Sequence, residues 1–287
     1  MKKLFKIVLA SLAVAILAAG CGSNGGSNEQ NNEGGSNIYR SLEDIKKSGS
    51  IKIGVFSDKN PFGYIDETGA YKGYDVTFAD RLAKDLGVEA EYVSTEPANR
   101  VEYLKSGKVD LILANFTVTE ERKEAVDFAL PYMKVSLGIV SPDNALITSP
   151  EQLNGKKLIV AKGTTAETYF TQNYPEVELV KFDQYTETFN ALIDGRGDAL
   201  STDNTEVLAW ALQNDGFSVG VDSLGEIDTI APAVAKGNQE LLDWINKEIK
   251  KIGEEQFFHK NYEENLAPVY GDTVSPDSIV VESGIVE

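Results

Sequence analysis

The chain has 287 residues, enough for two domains of ordinary size, and 42% of them are hydrophobic, so it can build sizeable cores. It carries 45 acidic and 27 basic residues, for a net charge of −18, which makes it a poor general nucleic-acid binder because phosphate contacts need clustered lysine and arginine. With one cysteine and one histidine, it forms neither an internal disulfide nor a Cys-rich zinc or iron–sulfur site.

The beginning of the chain has the pattern of an export signal. Three lysines precede an apolar run over 7–19, which is too short to span about 30 Å of hydrocarbon comfortably. The segment LAAGC resembles a bacterial lipobox, with alanine where leucine usually stands three places before the cysteine. We predict a lipoprotein signal peptide over 1–20, a lipidated Cys21 and a flexible polar tether over 21–37. An ordinary signal peptide, with Cys21 incidental, is the alternative.

From residue 38 onward, predicted strands and helices alternate. Short apolar runs indicate strands, and runs with one apolar face at helical spacing indicate helices. The βαβαβ order predicts a mostly parallel sheet with helices on both faces. The predicted strands lie at 51–56, 89–94 and 109–114, and the helices at 74–87 and 99–107.

The same pattern then recurs, which predicts a second, equivalent lobe. The segments LKSGKVDLIL (104–113) and LIDGRGDALS (192–201) share one order: helix, glycine, basic residue, one further residue, aspartate, strand. The glycine in each suits a helix C-cap. In this second series the strands are predicted at 156–161, 177–182 and 197–202, and the helices at 165–173, 185–195 and 205–214.

Two extended apolar segments, 136–141 and 229–236, flank the second series and are predicted to cross between the lobes. One long amphipathic helix over 241–262 is expected to return to the first lobe. We therefore predict a discontinuous organisation. Lobe 1 comprises 38–138 plus 232–271, lobe 2 comprises 139–231, and 272–287 form a loose C-terminal tail.

Over residues 50–271 the chain resembles the type II solute-binding proteins of ABC importers for polar amino acids, the bacterial extracellular solute-binding family 3. The resemblance implies an α/β, two-lobed periplasmic-binding-protein-like fold with mostly parallel sheets and two crossing hinge strands. Further blocks, such as EPANRVEYL (96–104) and EQFFHKNY (255–262), look closest to the cysteine-binding branch. The general resemblance rests on DKNPFGYIDETGAYKGYDVTFADRLAKDLG (58–87), ANFTVTEERKEAVDFALPY (114–132), VAKGTTAETYF (160–170) and DALSTDNTEVLAW (198–210).

Arg122 is the candidate for the carboxylate of a bound amino acid. A carboxylate removed from water needs an arginine fork or backbone N–H groups. Thr119 is predicted to cap the helix that begins TEER, which places Arg122 in its first turn, where the helix dipole disfavours a cation unless an anion is near. The resemblance implies that Arg122 binds the α-carboxylate. The alternative is a surface arginine paired with Glu120 or Glu121.

Asp203 is the candidate for the ligand's ammonium group, as the resemblance implies. With Glu206 it also fits a capping box, and the two roles can coexist. Thr117 and Thr165 follow strands of different lobes and are expected to aim N–H and hydroxyl donors at one point; the alternative for each is an ordinary turn or cap residue.

The remaining candidates line the pocket or set its selectivity. Arg100 is expected either to face the ligand side chain, where it would favour a thiolate or suit an aspartate, or to bind the carboxylate of a neighbouring residue. Phe62 is expected to supply an apolar wall or to pack in the core. Backbone carbonyls of the 114–115 segment are candidates for the ammonium. The full set of further pocket candidates is Ala114, Asn115, Lys59, Tyr64 and Thr164.

The resemblance implies an extracytoplasmic binding lipoprotein that closes on a polar amino acid and delivers it to a permease with its ATPase. L-cysteine is the favoured ligand, and aspartate or glutamate comes next. We expect a monomer that has no cofactor, no metal and no catalytic residue, that binds no nucleic acid, and that is held at the membrane by its lipid. The alternatives are a cyclohexadienyl dehydratase-like enzyme and a ligand sensor or adhesin. His259 has no second histidine or cysteine to join, so no catalytic or metal role is expected.

Overall fold

The computed structural model describes residues 38–286, so the predicted signal peptide, Cys21 and the tether lie outside the described residues. Within this range, two five-stranded sheets and a small three-stranded sheet are present, and helices flank the large sheets. The predicted two-lobed α/β fold is therefore confirmed. No helix in this range is long and apolar enough to cross a membrane.

Helix α2 shows how the sequence sets the first lobe. Its apolar residues are buried on one face. The helix ends at Gly87, whose φ of 78° lies in the left-handed region, which glycine adopts readily and other residues do not. The first stretch of elements is α1 (Leu42–Ser48), β1 (Ser50–Val55), β2 (Asp58–Lys59), β3 (Gly63–Ile65), β4 (Tyr71–Lys72), α2 (Tyr74–Leu86), β5 (Glu89–Ser94), α3 (Arg100–Lys105), β6 (Leu111–Ile112), α4 (Glu120–Ala125) and β7 (Val126–Phe128).

The chain then builds the second lobe and returns to the first. The second stretch is β8 (Met133–Pro142), β9 (Lys157–Ala161), α5 (Thr165–Asn173), β10 (Glu178–Phe182), α6 (Tyr185–Ile193), β11 (Ala199–Asp203), α7 (Asn204–Ala211) and β12 (Phe217–Ile230). The returning stretch is β13 (Ala233–Ala235), α8 (Gln239–Glu254), α9 (Phe257–Asn265), α10 (Ala267–Tyr270) and α11 (Pro276–Ile279).

The two large sheets have equivalent topologies. The first has the order β5-β1-β6-β13-β7, and the second has the order β10-β9-β11-β8-β12. In each, three strands pair in parallel, and the fourth runs antiparallel to both of its neighbours. We call the parts built on these sheets the first and the second lobe.

The repeated glycine–aspartate segment has the same role in both lobes. Asp110 donates its backbone N–H to the carbonyl of Lys52 and accepts, through its carboxylate, the N–H of the same residue. Asp198 makes the same two bonds with Lys157. Each aspartate thus fixes the start of its strand beside the neighbouring parallel strand, as expected if the lobes are structurally equivalent.

Strands β8 and β12 connect the lobes. They pair antiparallel along most of their length, from Phe217 opposite Pro142 to Ile230 opposite Met133, with three register shifts in between. The chain enters the second lobe through β8 and leaves it through β12 into β13. Because β8 runs through residues 138 and 139, the lobe boundary given there remains a prediction.

The single helix expected over 241–262 is wrong, because two helices occupy this segment. Gln256 adopts φ 57° and separates α8 from α9. Because of the break, Phe258 lies in the hydrophobic core of the first lobe. Its ring is 4.9 Å from that of Phe78 and 6.0 Å from that of Tyr132. Aromatic packing therefore overrides the helical periodicity at this point.

The expectation of a loose C-terminal tail is also wrong for the described residues. Val280 and Val281 are buried, Val280 forms a bridge with Met133, and the N–H of Val281 donates to the carbonyl of Tyr132 at 3.1 Å. His259 holds the same segment through Asp277 and Glu282, at 3.0 and 2.9 Å. The last residues thus cover the beginning of the connecting strand β8.

Candidate functional site

Arg122 reaches across from the first lobe to the second. The hydroxyl of Thr119 accepts the N–H of Arg122 at 3.2 Å, which confirms the predicted cap of α4. The guanidinium donates through Nη1 to the carbonyl of Thr117 at 2.7 Å and through Nη2 to the carbonyl of Gly163 at 2.9 Å. The alternative of a surface pair with Glu120 or Glu121 is wrong.

Arg100 lies beside Arg122 and uses the same acceptor. Its Nη2 donates to the carbonyl of Gly163 at 3.3 Å, and both guanidinium carbons lie within 4.7 Å of the centroid of the Phe116 ring. Its Nη1 donates to the carbonyls of Ala114 and Asn115, at 3.0 and 3.2 Å. Of the two alternatives for Arg100, a pairing with the carboxylate of a neighbouring residue is therefore wrong. The carbonyls expected to take a ligand ammonium already accept hydrogen bonds from Arg100, so their role toward the ligand stays a prediction.

These two guanidinium groups have no carboxylate partner among residues 38–286. Burial lowers the pKa of Arg122 to about 9, with a further contribution from the charge of Arg100. Burial also lowers the pKa of Arg100. Two neighbouring cations, one buried and one half-buried, that have no anion beside them favour the binding of an anion.

Asp203 faces a lysine from the other lobe. Its Oδ2 lies 2.8 Å from Nζ of Lys59, and Oε2 of Glu206 lies 3.1 Å from the same nitrogen. Lys59 is 1% exposed, and its Nζ also donates to the hydroxyl of Tyr185 at 3.3 Å. The side chain of Asp203 makes no cap bond to α7, so the capping-box alternative is wrong.

Burial and charge act in opposite directions within this cluster. Burial raises the pKa of Glu206 to about 7, although the charge of Lys59 opposes the shift. Burial by itself would lower the pKa of Lys59, but Asp203 and Glu206 raise it well above its usual value. The cluster therefore combines one stable cation with a carboxylate that titrates near neutrality.

Asp75 is a site residue that the sequence analysis missed. It is fully buried, and its carboxylate accepts the N–H of Asn115 at 2.8 Å and the hydroxyl of Tyr132 at 2.7 Å. Asn115 has φ 46°, so Asp75 fixes an unusual backbone turn directly after Ala114. Burial raises the pKa of Asp75 to about 6. An aspartate in a first helical turn is normally explained by its favourable interaction with the helix dipole. The sequence alone therefore offers no reason to expect a second role for Asp75.

The three predicted threonines have different environments. Thr165 is half-buried and lines, with Arg122, an interlobe cavity of about 440 Å³. Thr164 instead caps α5: its hydroxyl accepts the N–H of Glu167 at 3.3 Å and donates to the carbonyl of Ala161 at 2.7 Å. Thr117 is buried and contributes its carbonyl to Arg122.

Phe62 lies between β2 and β3, and Tyr64 lies in β3. Phe62 is fully buried, and its ring centroid lies 5.7 Å from Nζ of Lys59, so it packs in the core and also borders the site. Tyr64 is half-buried in β3, opposite Asp58 and Lys72. Within the described residues, its side chain makes no hydrogen bond to the site.

Residues 38–286 contain no group of three or more histidine, cysteine, aspartate or glutamate side chains able to hold a metal ion. His259 lies in the first lobe against the C-terminal segment, bonded to Asp277 and Glu282. It makes no hydrogen bond to the groups around Arg122 or Asp203 in this range.

The fold and the interlobe site define a two-lobed binding protein. The model for the bacterial extracellular solute-binding proteins, family 3, matches residues 51–267, and the chain belongs to this family. The crystal structure of the solute receptors for L-cysteine of Neisseria gonorrhoeae is 55% identical, with a TM-score of 0.83, over 85% of this chain and 100% of that one. The cysteine-binding protein from Campylobacter jejuni is 54% identical, with a TM-score of 0.83, over 84% of this chain and 98% of that one.

A more distant relative binds another amino acid. The ABC transporter glutamine-binding protein GlnH of Bacillus subtilis (strain 168) is 35% identical over 260 residues, which are 88% of this chain and 93% of that protein. Family membership therefore implies a small-molecule amino acid as ligand and a transporter as partner. The family is extracellular, and these relatives are solute-binding proteins.

Proposed function

We propose that the protein is the extracytoplasmic binding subunit of an ABC importer and that it carries L-cysteine. The observation that carries the binding role is a pair of neighbouring guanidinium groups, Arg100 buried and Arg122 half-buried, that have no carboxylate partner among residues 38–286 although the charge of Asp203 acts on both. A zwitterionic amino acid has the complementary charges, a carboxylate at one end and an ammonium at the other.

In this proposal Arg122 binds the α-carboxylate and Asp203 binds the ammonium. Arg100, which already donates to four carbonyl oxygens, positions the 114–115 turn and adds positive charge. Thr117 and Thr165 approach the ligand from the two lobes. Closure brings Gly163 against Arg100 and Arg122, so the ligand becomes enclosed as the lobes rotate together about β8 and β12.

Cysteine is favoured over other amino acids because the two solved structures named for cysteine are 55% and 54% identical, while the relative named for glutamine is 35% identical. Aspartate or glutamate remains the next candidate, since a second cation beside Arg122 suits an acidic side chain. The test is calorimetric titration of the reduced, unliganded protein with each of the twenty amino acids. Heat with L-cysteine is expected, and heat only with glutamine or arginine would defeat the assignment.

Transport, catalysis and sensing are separable by experiment. Turnover of prephenate by the purified protein would favour the dehydratase-like enzyme instead. If deletion of the transporter genes leaves a cellular response to the ligand intact, the sensor alternative gains support. Loss of cysteine uptake on deletion of this chain is the result that transport predicts.

We also propose that the chain is anchored through a lipid on Cys21 after removal of residues 1–20. The sequence pattern around Cys21 supports this anchor. Cys21→Ser is expected to abolish incorporation of labelled palmitate and to release the protein from the membrane fraction. Unchanged labelling in that variant would contradict the proposal.

A further inference from the structure

Lys59 belongs to the first lobe, but within residues 38–286 the hydrogen-bond partners of its ammonium group belong to the second lobe. Its ammonium group has three donors, and three acceptors meet it: Asp203, Glu206 and the hydroxyl of Tyr185, at 2.8, 3.1 and 3.3 Å. The rings of Phe56, Phe62 and Tyr185 surround it, with centroids 5.6, 5.7 and 4.4 Å from Nζ. Because these contacts join the two lobes, a rotation that separates the lobes would break them.

The charges in this cluster do not cancel. One lysine faces two carboxylates, and both carboxylates are at least nine-tenths buried. If Asp203 and Lys59 were alone, they would form a neutral pair with little attraction for a second ammonium group. Glu206 adds the missing negative charge. Within residues 38–286, Oδ2 of Asp203 is bonded to Lys59 and Oδ1 has no hydrogen-bond partner.

We propose that Glu206 is a positioning residue for amino-acid binding: it shares Lys59 with Asp203, so that Asp203 keeps one oxygen and a net negative charge for the ligand's ammonium. The inference rests on the proposed function and deepens it. Since Lys59 reaches Glu206 only across the closed interface, the same contact couples the ammonium subsite to lobe closure.

The position of Glu206 is itself fixed within the second lobe. Its Oε2 accepts the hydroxyl of Thr202 at 2.9 Å, and its side chain is 2% exposed. The Thr202 hydroxyl therefore helps to hold the carboxylate where Lys59 meets it. A buried carboxylate is energetically costly unless a cation pairs with it. Pairing with Lys59 therefore favours the closed state.

The pH dependence of binding gives a direct readout. The charged and titratable groups that face Glu206 are Lys59, Asp203, Tyr185, Asp58 across a shared small cavity, and Tyr270 of α10. With a pKa of about 7, Glu206 loses its charge as the pH falls from 7.5 to 6.0. Asp75, with a pKa of about 6, also begins to protonate, but it is present in every protein compared.

The experiment measures the Kd for L-cysteine by calorimetry at pH 7.5 and 6.0 in wild type, Glu206→Gln and Glu206→Asp. In wild type, Kd is expected to rise about eightfold at the lower pH, as follows from a pKa of about 7 when only the ionised form binds well. Glu206→Gln is expected to bind at least tenfold more weakly at pH 7.5 and to lose most of the pH dependence. Glu206→Asp keeps the charge and should keep the pH dependence.

A second variant tests the inference independently if Glu206→Gln does not fold. In Lys59→Met, the pH at which affinity declines is expected to move upward, because the lysine charge no longer lowers the pKa of Glu206. The role proposed for Glu206 would be overturned, with the proposed function left standing, if Glu206→Gln kept the pH dependence of wild type. The same would follow if the pH at which affinity declines did not move in Lys59→Met. If none of the twenty amino acids binds wild type, the proposed function falls as well.

Discussion

A substitution at Gly163 can hold the lobes apart without replacing any of the side chains proposed to bind the ligand. A Cβ added there would lie 2.5 Å from Cα and 2.8 Å from N of Ala98, in the opposite lobe. Ordinary contacts between carbon atoms are about 3.5–4.0 Å, so the interface of Gly163→Ala must open by about 1 Å or more. This displacement pulls the carbonyl of Gly163 away from Arg100 and Arg122.

The loss can be worked out from those contacts. Two hydrogen bonds to charged donors are weakened, each worth about 1.5–3 kcal/mol, which gives about 3–6 kcal/mol for the closed state. Since each 1.4 kcal/mol is about tenfold in affinity, the Kd for L-cysteine is expected to rise by about 10²- to 10⁴-fold. Gly163 also has φ 74°, where alanine costs about 1–2 kcal/mol of folding stability.

Gly155→Ala is the matched control. Gly155 lies in the second lobe with φ 73°, and a Cβ there has nothing within 4 Å. Thermal unfolding should show the same modest destabilisation in both variants, while calorimetry shows weaker binding in Gly163→Ala alone. Equal affinity in the two variants would refute the argument that closure brings Gly163 against Ala98.

Three further predictions concern the supports of the site and of the hinge. Arg100→Met leaves the two carbonyls of the 114–115 turn without their donor, and each buried acceptor without a partner costs about 1–3 kcal/mol, so we expect chemical denaturation to show a loss of about 2–6 kcal/mol; a loss below about 1 kcal/mol would contradict this. Hydrogen bonds with Asp277 and Glu282 raise the pKa of His259 despite its partial burial, so its stabilising effect should be full below the unfolded pKa of about 6.5 and disappear as the pH rises through the higher folded pKa. The difference in unfolding free energy between wild type and His259→Gln, measured from pH 5.5 to 8.5, checks this; a difference that grows with pH would count against it. Removal of residues 276–287 uncovers Met133 and should lower the melting temperature, whereas an unchanged value would show that the segment does not brace the hinge strand.

Local signals predicted much of the fold. The capped helix α4, the glycine that ends α2 and the paired aspartates of the two lobes all follow from residues close together in sequence. Arg122 is predicted to bind the ligand because a cation in a first helical turn conflicts with the helix dipole, and such a conflict points to function; its ligand role stays a prediction.

The misses share a different cause. The break at Gln256 depends on aromatic packing against Phe78 and Tyr132, and the packing of the last residues depends on strand β8, more than a hundred residues earlier. Glu206 was assigned to a capping box because the spacing fits, yet its partner Lys59 is far away in the sequence. Tertiary contacts of this kind have no local pattern from which to infer them.

The placement of β13 determines which of the two large sheets can be completed first while the chain is synthesised from its N-terminus. β13, residues 233–235, lies between β6 and β7 inside the first sheet, whereas the second sheet uses only strands from Met133 to Ile230. A nascent chain that ends at residue 230 thus holds every strand of the second sheet, while the first sheet still lacks an internal strand. The lobe that begins later in the chain is the one whose sheet is finished earlier during synthesis.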